Sequence, residues 1–276
     1  MNVFQRLLVC AMVCLGSAAA FGADTVAFIS DLKGQVAIDG APRPALLAEV
    51  AKGQRISLGK ESHVALMYTA SGREFMLKGP GEFVVKEAEV AAESGAAPAA
   101  RATEWRPATD VRVHVAQSSS ASVRMRSLAP PRAGTVTAFP AQGSVATLQP
   151  TFRWQGDAKA RGDFILVAAG DEKPVHVAKT LGDSYRLPVK LVPEKDYVWN
   201  VAVAGNEVAA GKFRTLAAEA LARIERSRPA PTAEFSDRLM FALMLQEMGA
   251  AQEAREAWAA LSRERADLPE LAAFAK

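Results

Sequence analysis

The side chains able to do chemistry in this chain are few and scattered. The three histidines, His63, His114 and His176, fall in three separate segments, without the short spacing that brings two imidazoles to one metal ion. Glu74, Glu82, Glu87 and Glu89 lie near Arg73, Lys78 and Lys86. Two carboxylates converging in a cleft would suit glycoside hydrolysis, but acids and bases interleaved along strands ordinarily form cross-strand ion pairs. There is no phosphate-cradling glycine loop, no His-Glu-x-x-His helix and no Gly-x-Ser-x-Gly elbow. These features predict a protein that is not an enzyme and uses no cofactor and no metal.

Binding is the chemistry that remains. Over residues 106–132, Arg106, Arg112, Arg124, Arg126 and Arg132 face a single acid, Asp110. Solvated arginines along an edge or linker account for such an excess, and an anionic-ligand site is the alternative. Trp105 is the one tryptophan outside a periodic element, and an exposed aromatic ring beside polar side chains suits a glycan. Trp105, Arg124 and Arg126 are the candidate binding residues.

The opening stretch MNVFQRLLVCAMVCLGSAAAFGA reads as an export signal. Arg6 is its basic start, Leu7 to Leu15 its apolar core, and Ser17-Ala18-Ala19-Ala20 its small-residue end, with cleavage expected after Ala20. An uncleaved anchor competes, since Leu7 to Ala23 is 17 residues without a charge, the lower edge of a bilayer span. Its second half is mostly Gly, Ser and Ala and no basic cluster follows, so association with a membrane is expected only if the signal is retained. The expected location is therefore the periplasm. Cys10 and Cys14 are the only cysteines, so cleavage leaves no thiol for catalysis, thiolate metal sites or disulfides. The whole chain has 33 Lys and Arg against 30 Asp and Glu. That near-balance argues against a nucleic-acid binder, which needs a concentrated basic face.

The elements that would position these residues are mainly strands. Short runs at Val26–Ile29, Gln35–Ile38, Arg55–Leu58, His63–Tyr68, Glu74–Lys78 and Glu82–Lys86 are separated by glycines. Val64, Leu66 and Tyr68 share one face of the fourth run. Six short strands predict a small all-β roll or sandwich over residues 24–90. The segments "KGQVAIDG" and "AKGQRISLGKESHVALMYTASGREFMLKGPGEFVV" resemble the FecR domain family. The likeness lies in a glycine-led strand, a G-x-x-I step, a serine-led apolar strand, a glycine hairpin and an L-x-G-P close. The resemblance implies an exported β-module, which in the family's name-giving member lies on the periplasmic side of an iron-citrate signalling system. The six residues before the apolar core are expected to be too few for that member's cytoplasmic segment.

Residues 91–140 are expected to be a linker with one or two strands. Ala91–Ala102 is small and aperiodic, as a flexible connection would be, and Val111–Val115 alternates as one strand. Residues 141–215 predict a second β-domain. Phe152 and Trp154 share a face, and Leu191-x-Pro193-x-x-x-Tyr197-x-Trp199-x-Val201 places Tyr197 where its hydroxyl can bond backbone upstream. This region resembles a fibronectin type III or immunoglobulin-like β-sandwich. From residue 216 the period becomes helical. Helices are expected at Ala217–Arg226, from a Thr232 cap to Gly249 with Phe235, Leu239, Ala242 and Leu245 inward, and at Gln252–Arg265. The spacing of Phe241, Ala242, Leu245, Gly249, Ala254, Trp258 and Leu261 resembles one tetratricopeptide helical hairpin. A single such unit must pack on something else.

The fold class expected is thus mainly β: a FecR-like small β-roll or sandwich, an immunoglobulin-like β-sandwich and a C-terminal α-helical hairpin over 216–276. The function expected is a non-catalytic periplasmic binding or scaffold protein of the bacterial cell envelope. It would work with an envelope protein partner through strand addition or helix packing. A peptidoglycan- or glycan-binding module and an envelope signalling regulator related to FecR are the alternatives.

Overall fold

Ten strands build the first β-module: β1 (Thr25–Lys33), β2 (Val36–Ile38), β3 (Ala41–Pro42), β4 (Glu49–Ala51), β5 (Arg55–Leu58), β6 (His63–Tyr68), β7 (Arg73–Lys78), β8 (Gly81–Val85), β9 (Val90–Ser94) and β10 (Ala99–Ala102). The computed structural model of the protein describes residues 24–103 and 138–275. The expected export signal, the Val111–Val115 strand and the linker arginines lie outside the described residues. The strands form two antiparallel sheets, β10-β7-β6-β1-β4 and β3-β2-β5-β8-β9. Ile29, Val64, Leu66 and Leu77 are fully buried, and Tyr68 meets Phe75 edge-on at 5.1 Å. All six expected strands are present.

One local expectation is revised. Residues 91–102 are not a flexible connection, because β9 and β10 occupy most of them, each at the edge of one sheet. Most of their side chains face outward, so main-chain pairing holds them without an apolar period. In the turn between β7 and β8, a Cβ at Gly79 would strike the carbonyl oxygen of Gly59. Close backbone approach requires the glycine.

The second β-module contains β11 (Ala138–Phe139), β12 (Ser144–Val145), β13 (Thr151–Trp154), β14 (Arg161–Ala168), β15 (Pro174–Leu181), β16 (Ser184–Arg186), β17 (Asp196–Val203) and β18 (Asn206–Thr215). A three-stranded sheet, β11-β13-β16, accompanies a five-stranded one, β12-β18-β17-β14-β15. Alternation decides which residues enter the core: Phe152, Phe164, Leu166, Tyr197, Trp199 and Phe213 are all at most 1% exposed. The Tyr197 hydroxyl accepts the Val192 N–H at 2.9 Å, as expected. The Trp199 indole N–H donates to the Pro140 carbonyl at 2.7 Å, so this buried ring leaves no donor unpaired.

Four helices follow: α1 (Ala218–Arg226), α2 (Phe235–Glu247), α3 (Ala251–Glu264) and α4 (Leu271–Phe274). Thr232 does not cap α2. Glu234 holds the cap position without a side-chain bond, and the Ala233 N–H closes a turn onto the Ala230 carbonyl. At the other end, Gly249 takes a φ of 74°, with Gly249 N–H bonded to Gln246 O at 3.0 Å and Ala250 N–H to Leu245 O at 2.9 Å. That paired closure stops α2 and turns the chain into α3.

The helices do not stand alone. Leu239, Met240, Ala242, Leu245, Trp258 and Leu261 share one hydrophobic core with the first β-module. The register places Phe28, Met67, Glu74 and Arg101 side by side on one face of its five-stranded sheet, and Arg101 on that face bonds α2. Strand β6 is therefore covered on both sides, which explains why Ala65 and Met67 are as buried as Val64 and Leu66.

Candidate functional site

The three residues selected from the sequence, Trp105, Arg124 and Arg126, lie outside the described residues, as does His114. The other two histidines are in different modules. His63 lies 3.4 Å from Asp31, and His176 sits 2.6 Å from the Tyr185 hydroxyl with the two rings stacked. Among the described residues no three His, Cys, Asp or Glu side chains gather as metal ligands would. The carboxylates of the first module are engaged singly. Glu82 accepts the Ser57 hydroxyl at 2.7 Å, Glu87 pairs with Lys52 at 2.9 Å, and Glu89 pairs with Lys86 at 3.3 Å.

Glu74 differs, being 1% exposed. It accepts the Ser30 hydroxyl at 2.6 Å and the Arg101 Nε–H at 2.5 Å. The same guanidinium donates to Ser236 at 2.7 Å and to both oxygens of Asp237 at 3.0 and 3.1 Å. One arginine thus fastens β10 and β7 to the first turn of α2 by the forked geometry that only a guanidinium offers. A second fastening is Arg265, which donates to Asp31, to the Leu32 carbonyl and to Asp267. Burial would push the Asp31 carboxyl up, but hydrogen bonds with His63 and Arg265 outweigh it and hold it below its ordinary value.

Contacts from α3 reach the second module. Glu253 accepts the Ala146 N–H at 2.6 Å, and Glu256 pairs with Arg153 at 2.7 Å. Burial pushes the Glu253 carboxyl above its ordinary value, and its second oxygen has no hydrogen-bond partner among the described residues. A shallow recess of about 590 Å³ lies along this joint, lined by Phe139, Trp154, Ser184 and Gln252 among others.

A second recess, about 600 Å³, lies between α1, the connection after it and α2. Its local construction follows from the sequence RIERSRP at residues 223–229. Ile224 is 1% exposed and anchors α1 in the core. Arg223 and Arg226 occupy the last turn of α1, where the partial negative charge of the helix end favours cations. Arg228 lies just beyond, its guanidinium 5.7 Å from the Phe241 ring centre and paired with Glu225 at 3.2 Å. Met240, Phe241 and Met244 of α2 supply the floor. The acid in the lining, Asp237, has both oxygens taken by Arg101.

Neither the Arg223 nor the Arg226 side chain has a hydrogen-bond or ion-pair partner among the described residues. Desolvation raises the Glu247 carboxyl, and the nearby Arg223 charge opposes that rise. The recess is therefore a basic groove with an apolar floor. Three arginines within six residues ahead of Pro229 were the available signal. The helical period marks only where α1 ends, and does not show that α2 packs beside those arginines.

No family model matches the chain, and no curated protein matches its sequence.

Proposed function

We propose that this chain is a non-catalytic, exported binding or scaffold protein of the bacterial cell envelope, acting through contacts with another protein. The observation that carries this reading is the fusion of the helices into the core of the first β-module. Helices with no core of their own, tied by Arg101 and Arg265 to one module and by Glu253 to the other, present the basic groove on a pre-organised frame. Such pre-organisation lowers the ordering cost of binding. Further support comes from the FecR-like segments of the first module, and from the sheet order and Tyr197 corner of the second, which fit a fibronectin type III-like sandwich. The helical hairpin is the tetratricopeptide-like element, with its inner face occupied by its own β-module.

The test is a full-length chain carrying a photo-crosslinking residue at Ala230, an exposed position lining the groove, expressed in its native cell. The expected outcome is a mature chain cut near Ala20 in the periplasmic fraction, with a heavier protein adduct after irradiation. A cytoplasmic chain without an adduct refutes the reading. Salt-resistant pelleting with peptidoglycan sacculi and no adduct would replace it with wall binding.

A further inference from the structure

We propose that the groove between α1 and α2 docks an acidic, partly apolar segment of the partner protein. This inference rests on the scaffold reading above and names the chemistry of what that scaffold holds.

Charge carries the argument. Arg223 and Arg226 stand three residues apart on one helix, so they are neighbours on its surface, about 5–6 Å apart at Cβ. Arg228 extends the row past the helix end. A row suits an extended segment with two or more carboxylates, whereas a single-headed anion would need the cations to converge. Of the acids near the row, Glu247 lies close enough to Arg223 to feel its charge but forms no ion pair with it among the described residues. Asp237 is consumed by Arg101, and Glu225 and Arg228 have side chains 74% and 54% exposed, so that pair is weakly held in water and free to exchange with an incoming carboxylate. Between the charges lies a floor of two methionines and Phe241, with Arg228 over the ring. Thioether side chains adjust to apolar groups of differing shape, which fits a floor for an aliphatic or aromatic residue placed between acids. The three cations and the floor require both features in one ligand.

The experiment uses the mature full chain and a fluorescein-labelled peptide of repeated Glu-Leu-Glu-Phe, read by fluorescence anisotropy. The peptide should bind, and the affinity should fall at least about tenfold when Gln replaces Glu in it. A similar loss should follow as salt rises from about 0.01 to about 1 M, which shortens the Debye length from about 30 to about 3 Å. The double variant Arg223→Gln/Arg226→Gln should bind at least about tenfold more weakly with an unchanged unfolding midpoint. Phe241→Ala should weaken the Leu- and Phe-bearing peptide and leave a poly-Glu control unchanged. Should the double variant perturb folding, Ala230→Glu on the exposed rim supplies the same test by repulsion.

Equal binding of the Gln and Glu peptides, affinity within twofold in the double variant, or no binding at all overturns the inference. So does an adduct at Ala230 whose mass is that of two copies of this chain, or arginine-dependent binding to phosphatidylglycerol vesicles that the peptide does not displace. A partner adduct at Ala230 that persists in the double variant sinks the acidic segment and leaves the scaffold reading standing. Loss of every adduct in the unaltered chain sinks that reading itself.

Discussion

Replacing Arg101 with alanine should loosen the joint between the first β-module and α2 more than any exposed charge substitution. Arg101 makes one bond to Glu74, one to Ser236 and two to Asp237. Without it, Glu74 remains buried with the Ser30 hydroxyl as its remaining side-chain donor. Breaking a buried pair by removing one partner costs about 3–5 kcal/mol, because the other charge stays uncompensated. The Arg101 side chain is 36% exposed, so water reaches the site and the lower figure applies, about 3 kcal/mol. For a chain of this size that corresponds to a drop of about 6–12 °C in the transition that includes the helices. Calorimetry reads the drop, and limited proteolysis of the connection between α1 and α2 should quicken with it. Adding Glu74→Gln should restore part of the loss, giving a coupling of about 2 kcal/mol in a double-mutant cycle. Arg101→Lys should fall between, since an ammonium cannot serve Glu74 and both Asp237 oxygens together. A loss under about 1 kcal/mol, or strict additivity with Glu74→Gln, would refute the reasoning that the pair is a buried fastening.

Two further predictions probe the second module. Burial raises the Glu253 carboxyl, so the folded chain holds that proton more tightly than the unfolded chain; the stability this contributes is fully present at low pH and lost as pH rises through the folded value. Glu253→Gln keeps an oxygen for the Ala146 N–H and should leave stability unchanged or higher near pH 7, with the advantage shrinking as pH falls toward about 4. A variant less stable by more than about 1 kcal/mol near neutrality would show that the helix-end charge outweighs burial. At Gly211, a Cβ would strike the Pro140 carbonyl and lie 2.6 Å from the Trp199 indole nitrogen. Gly211→Ala should break the Trp199–Pro140 bond and cost about 1–3 kcal/mol, read by tryptophan emission and melting; an unshifted melt and spectrum would show that the sheet yields without strain.

Local periodicity determined which residues of this protein make strands and helices, because burying one face of an element leaves a repeat of two or of about 3.6 in the chain. The six strands of the first module, the Tyr197 corner and the stop at Gly249 were legible for that reason. Edge strands β9 and β10 were not, since strands held by main-chain bonds and facing water need no apolar repeat. Nor does a repeat reveal what covers a face. Met67 and Glu74 read as one side of a small sheet and one surface carboxylate, until α2 closes over them with Arg101 binding Asp237 across 136 residues of sequence. The basic groove exists by the same closure, which joins the exposed end of α1 to the side of α2. Charge placement near a helix end is written in the residues, but its meeting with an apolar floor is decided only when distant segments compete to bury their hydrophobic faces in one core.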